Sequence, residues 1–95
     1  MYPYEALYII RPDMADEARV ALVEKFQTLI TGAGGAIDKH DEWGTRKLAY
    51  PIQFLNEGYF VLVNFTAPGD FVREFERNLR INENILRFMV VRTDE

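Results

Sequence analysis

Cysteine is absent and histidine occurs once, at His40. The first absence excludes a disulfide framework, a Cys-ligated iron–sulfur cluster and a thiolate zinc site, and the second leaves almost nothing for a nitrogen-ligand metal site. No metal or cofactor is expected. Long hydrophobic runs are missing too: residues 6–10 and 59–63 are the longest, far below the ~20 residues that cross a bilayer. The opening Met1-Tyr2-Pro3-Tyr4-Glu5 lacks the basic-then-apolar pattern of a signal peptide. A soluble, cytoplasmic protein in a reduced compartment is expected, with no membrane contact. With 95 residues and 48% hydrophobic content the chain reads as one globular domain, residues 1–95, without linker, repeat or low-complexity segment.

Positive charge is in deficit, with eleven cations against fifteen anions and a net charge of -4. The deficit is local. Residues 1–42 carry Arg11, Arg19, Lys25 and Lys39 against eight carboxylates, a balance of -4, whereas residues 43–92 carry seven cations against five, a balance of +2. Asp94 and Glu95 then close the chain. Eight of the eleven cations are arginine, the side chain that grips phosphate or carboxylate with two parallel hydrogen bonds. An acidic total therefore does not exclude a nucleic-acid partner.

Residues 4–10 are apolar, aromatic or β-branched apart from Glu5, the pattern of a central strand ended by Arg11-Pro12-Asp13. From Asp16 the apolar positions become Leu22, Val23, Phe26, Leu29 and Ile30, three and four apart, which predicts an amphipathic helix. Asp13 or Asp16 is its expected N-cap and Gly32-Ala33-Gly34-Gly35 its left-handed stop. Residues 36–52 alternate instead, one long strand or two short ones broken near Gly44. Pro51 and the charges over 38–42 put that strand at a sheet edge. A turn is expected at Asn56-Glu57-Gly58, then a central strand over 59–65. Asp70 is the expected N-cap of a second helix that buries Phe71, Val72, Phe75 and Leu79. Residues 85–91 form the last strand, with Leu86, Phe88 and Val90 on one face and Arg87, Met89 and Val91 on the other.

The order βαββαβ predicts an α+β, ferredoxin-like sandwich: a four-stranded antiparallel sheet with two helices on one face. The other face is left open, and its aromatics call for a partner.

Catalytic chemistry is thinly supplied. His40, between Lys39 and Asp41, reads as a solvated imidazole without an orienting partner. Asp38, Asp41 and Glu42 lack calcium-loop spacing, and Gly32-Ala33-Gly34-Gly35 follows a helix, whereas a phosphate loop follows a strand. An RNA-recognition motif wants basic-Gly-aromatic-small-aromatic; Glu57-Gly58-Tyr59-Phe60-Val61 fails at Glu57, Phe60 and Val61, so base stacking on the third strand is disfavoured. Arginine contact with RNA backbone survives. Arg73, Arg77 and Arg80 form one helical stripe; pairing within the helix (Asp70–Arg73, Glu74–Arg77, Glu76–Arg80) is favoured for Arg73 and Arg77, and Arg80 stays open.

Residues 42–52, Glu-Trp-Gly-Thr-Arg-Lys-Leu-Ala-Tyr-Pro-Ile, then Gly58-Tyr59-Phe60, Leu79-Arg80-Ile81-Asn82-Glu83-Asn84-Ile85-Leu86-Arg87 and Met89-Val90-Val91 resemble the bacterial small-subunit ribosomal protein six family along the whole chain. The resemblance implies a ferredoxin-like ribosomal protein without catalysis or small-molecule substrate. It would bind the central domain of small-subunit ribosomal RNA as a heterodimer with small-subunit ribosomal protein eighteen. By position it implies Arg46, Lys47, Arg87 and Arg92 as phosphate contacts, with Arg80 added from its place at the helix end, and matches the aromatics Tyr4, Tyr50 and Tyr59. Tyr2-Pro3 stands where many members carry basic residues. With Trp43, those three tyrosines are the candidate partner surface, centred on the open face and the edge near 43–50; a Trp43 ring folded back over the core is the alternative. A rival class is a small-molecule-binding or enzymatic ferredoxin-like domain, acylphosphatase-like or amino-acid-sensing. Arg11-Pro12-Asp13 has the arginine of an acylphosphatase loop without its glycine-rich backbone, and the helix entry lacks the glycine a sensing domain would want.

Overall fold

In a computed structural model, which describes residues 1–94, six elements follow one another: β1 (Tyr2–Ile10), α1 (Asp16–Gly32), β2 (Ala36–Ile52), β3 (Leu55–Ala67), α2 (Phe71–Ile81) and β4 (Ile85–Arg92). The strands form one antiparallel sheet in the order β2-β3-β1-β4, so the two most apolar strands are central, as expected. Strand alternation sends Tyr4, Ala6, Tyr8 and Ile10 of β1 and Val61, Val63, Phe65 and Ala67 of β3 to one face. Leu22, Val23, Phe26 and Ile30 of α1 and Phe71, Phe75 and Leu79 of α2 pack on that same face. Phe26 sits between the two helices and the sheet, edge-on to Tyr8 at 5.3 Å and to Phe75 at 6.1 Å, a geometry that favours aromatic pairs beyond area burial alone.

Helix ends differ from expectation. Ala15 holds the N-cap position of α1 with no side-chain hydrogen bond, because Asp13 is engaged by Arg11 (3.3 Å) and Asp16 already lies inside the helix, paired with Arg19 (2.9 Å). Asp70 does precede α2, but its backbone is helical (φ -77°, ψ -14°) and its carboxylate makes no cap. Gly34 supplies the left-handed stop after α1 with φ +85°.

The third connection differs from the sequence expectation. The β2–β3 turn is at Gln53-Phe54, with φ +51° and +65°, and Asn56, Glu57 and Gly58 already belong to β3. Gly58 is needed for proximity, since a Cβ there would lie 2.3 Å from Ile9 Cγ2. A glycine that reads as a turn signal in sequence is here a close crossing inside the sheet.

Candidate nucleic-acid and partner interface

The sheet face opposite the helices carries Glu5, Leu7 and Ile9 of β1, Phe60, Leu62 and Asn64 of β3, and Arg87, Met89 and Val91 of β4. Leu7 stands opposite Leu62 on one side and Met89 on the other, so an apolar row crosses three strands. Met89 and Val91 remain 55% and 40% exposed, an uncovered apolar surface at the β4 edge.

A bulge builds the β2 side of this face. Glu42 pairs with Val61 and Gly44 with Phe60, leaving Trp43 as the extra residue, and Gly44 takes φ +83° to accommodate it. Residues three apart in a regular strand point to opposite faces; the extra residue brings Trp43 and Arg46 to the same one. The indole stacks on Phe60 (6.0 Å, 12° between planes), Arg46 lies over it at 5.1 Å, and its Nε1–H donates to Asp41 Oδ2 at 3.3 Å. Trp43 is thus half-buried outside the core, which decides between the two sequence readings in favour of a surface position. Lys47 pairs with Glu57 on the other face, as the alternation required.

Beyond Lys47 the hairpin loses register and leans over the sheet. Leu48, Tyr50 and Ile52 close a cavity of about 180 Å³ against Ile9 and Phe60. Arg87 Nη1 donates to the Tyr50 hydroxyl and its guanidinium lies 5.6 Å from the ring centre. Arg46 and Arg87 therefore share the open face, each laid against an aromatic ring.

The remaining predicted cations are elsewhere. Arg92, at the far end of β4, stacks on Tyr2 at 3.9 Å and pairs with Asp94 at 2.5 Å. That pairing holds the Asp94 carboxyl below the usual carboxylate range. Arg80 sits in the last turn of α2 and lines a polar cleft with Arg11, Gln53, Asn82 and Asn84. Among the described residues neither Arg80 nor Arg73 makes an ion pair, so of the three intrahelical pairs only Arg77–Glu74, at 3.0 Å, forms.

Two predicted partner aromatics are not on this face. Tyr4 is 7% exposed, with its ring 5.5 Å from that of Phe65 in the core, because alternation from Ala6 and Tyr8 carries it to the helix side. It presents no surface to a partner. Tyr59 also lies on the helix side, where its hydroxyl donates to Glu42 Oε1 at 2.6 Å and Arg19 covers its ring at 4.4 Å. The hydrogen bond to the carboxylate raises the Tyr59 pKa, reinforced by burial and the Glu42 charge and opposed by Arg19. Trp43 and Tyr50 are the pair the fold brings together.

His40 is not a solvated imidazole. It is half-buried on the helix side, with Nδ1 3.1 Å from Gln27 Nε2 and Nε2 3.9 Å from Glu42. The carboxylates of Asp38, Asp41 and Glu42 serve three separate donors, Thr66, Trp43 and Tyr59, and do not converge. In the first loop Arg11 pairs with Asp13, whose carboxyl it holds below the usual range, and the loop sequence Arg11-Pro12-Asp13 has no glycine-rich backbone of the acylphosphatase kind. Sequence reasoning missed Arg19, Phe54 and the role of Arg11. Phe54 is 99% exposed at the hairpin tip, a position hidden by the misplaced turn.

A family model described as ribosomal protein S6 matches residues 3–92. Over all 95 residues the chain is 50% identical to small ribosomal subunit protein bS6 of Caldanaerobacter subterraneus subsp. tengcongensis and 47% identical to that of Clostridium novyi, covering the full length of both. The crystal structure of 30S ribosomal protein S6 from Thermotoga maritima superposes with a TM-score of 0.92 at 34% identity, covering 97% of this chain and 87% of that one.

Proposed function

The chain belongs to the ribosomal protein S6 family, and from that premise we propose that it binds the central domain of small-subunit ribosomal RNA as a heterodimer with small-subunit ribosomal protein eighteen. It is a structural component of the small ribosomal subunit, cytoplasmic and ribosome-bound, and not an enzyme.

The observation that carries the partner reading is the open sheet face. An apolar row of Leu7, Leu62 and Met89 lies beside two cation–aromatic pairs on its hairpin side, Arg46 on Trp43 and Arg87 on Tyr50. Aromatics and arginines around a desolvated centre are the composition of an interface hot spot. A chain of net charge -4 is drawn to a basic protein, and its arginine-rich second half is then left for phosphate. Arg46, Lys47, Arg80, Arg87 and Arg92 are the cations offered to RNA; Trp43 and Tyr50 are those offered to the partner.

The test is hydrogen exchange of the chain alone and mixed with protein eighteen. Exchange should slow at residues 60–64, 43–46 and 87–91. Protection confined to the two helices would place the partner on the other side of the molecule and remove the reading.

A further inference from the structure

At the end of the sheet where α2 stops, three connections and the last turn of α2 meet around a polar cleft of about 450 Å³ lined by Arg11, Gln53, Arg80, Asn82, Glu83 and Asn84. Its walls are fixed by backbone contacts: Arg11 N–H donates to Asn84 O at 2.9 Å, and Asn84 N–H to Asn82 Oδ1 at 2.9 Å. With Oδ1 so used, the amide nitrogen of Asn82 remains as a donor. Arg11 reaches across to Gln53 Oε1 at 3.4 Å while holding Asp13 through long contacts of 3.3 and 3.5 Å, and Arg80 makes no ion pair among the described residues. Two carboxylates, Glu83 in the lining and Asp13 behind Arg11, stand against two guanidiniums and three amides, and Arg80 is the cation with no carboxylate on it among the described residues.

The hairpin tip above the cleft is strained. Both Gln53 and Phe54 adopt left-handed backbone, a conformation unfavourable for non-glycine residues and one that two-residue hairpins normally give to Asn-Gly. The strained residue carries an aromatic ring 99% exposed to solvent. Nothing in the fold uses that ring, and strain held at an unpacked position points to a ligand.

We propose that this cleft takes a backbone phosphate of an unpaired RNA segment, with Arg11 and Arg80 as its cations, and that the adjoining base stacks on Phe54. The proposal rests on the RNA-binding reading above and gives it a site that the open face does not contain. Guanidinium forks match phosphate oxygens, and a ring on a protruding tip meets a base only where the RNA is unstacked.

The test uses the full chain, isotope-labelled, titrated with a single-stranded RNA hexanucleotide and separately with inorganic phosphate at equal phosphate concentration. The hexanucleotide should shift the amide resonances of Gln53, Asn82 and Asn84, and inorganic phosphate should not. With the central-domain RNA fragment in the presence of protein eighteen, Phe54→Ala should weaken binding fivefold or more. Arg11→Gln and Arg80→Gln should each lower the salt slope by about 0.7, the value for one phosphate of a single strand. Arg80→Lys, which keeps the charge at the helix end, separates loss of the fork from loss of fold, and melting temperatures of all variants serve as the control. Unchanged affinity and slope in Phe54→Ala, Arg11→Gln and Arg80→Gln, while wild type binds, would overturn the site and leave RNA binding standing. Equal shifts with inorganic phosphate would make it a free-anion site and overturn the proposal as well. No RNA binding by wild type with its partner would remove both.

Discussion

Tyr50 and Arg87 come from opposite edges of the sheet and meet over its open face, the tyrosine hydroxyl accepting from Nη1 of the arginine. The contact pins the leaning β2–β3 hairpin across Ile9 and Phe60 and fixes where the Arg87 charge points. Tyr50→Phe keeps the ring and removes the acceptor. It should cost about 1 kcal/mol or less in chemical denaturation, because the site is exposed, and should speed hydrogen exchange over residues 48–52. A cost near that of a core substitution would mean that the hairpin is part of the folding core.

Trp43, the only tryptophan, reports its own surroundings. Because it stacks outside the core, Trp43→Ala should destabilise the isolated domain by less than the ~3 kcal/mol at which loss of a core aromatic begins, while weakening heterodimer formation. Arg46→Ala should cost about 0.5–1 kcal/mol, the range of an exposed cation–π pair, and should shift the indole emission.

Gly58→Ala should be costly for a residue so small. The new methyl would meet Ile9 Cγ2 inside van der Waals contact, so the sheet must shift, at about 1–3 kcal/mol by denaturant titration. A neutral result would show that Ile9 has room to turn away.

Replacing Gln53-Phe54 by Asn-Gly should raise stability by about 1–2 kcal/mol, since those residues accept the left-handed backbone already present. The same double substitution deletes the Phe54 ring. Stability and RNA affinity should therefore move in opposite directions, measured by thermal melting and by RNA titration.

Tyr59 should ionise above the ordinary tyrosine value of 10.0 because its hydroxyl donates its proton in a hydrogen bond to the Glu42 carboxylate. A pKa raised in the folded state stabilises below the unfolded pKa and loses that contribution as pH rises through the folded one. Tyr59→Phe should thus lower stability near neutral pH and make no difference at strongly alkaline pH. Ultraviolet titration of the phenols should lose one late-ionising group in that variant.

Much of the fold was legible because each strand and helix carried its own period. Leu22, Val23, Phe26 and Ile30, for example, lie buried as their spacing required. The turn was misread because Gly58 resembles a breaker; its purpose, clearance for Ile9, depends on a residue 49 positions away in sequence. Matching Tyr4 to the family's aromatic positions does not tell surface from core, whereas its alternation with Ala6 and Tyr8 places it inward. Trp43 and Arg46 were legible as residues but not as a stacked pair, since simple alternation separates them and only the bulge reunites them. The cleft of Arg11 and Arg80 was illegible, because its residues come from three connections and a helix end that meet only in the folded chain.

Cooperative RNA binding by an acidic protein and a basic partner can be read from titrations of a central-domain fragment of small-subunit ribosomal RNA at physiological salt. The titrants are the chain alone, protein eighteen alone and the two together. Either protein singly should bind weakly, and the pair at least tenfold more tightly than either, a coupling of about 1.4 kcal/mol. Equally tight binding by the chain alone would contradict it.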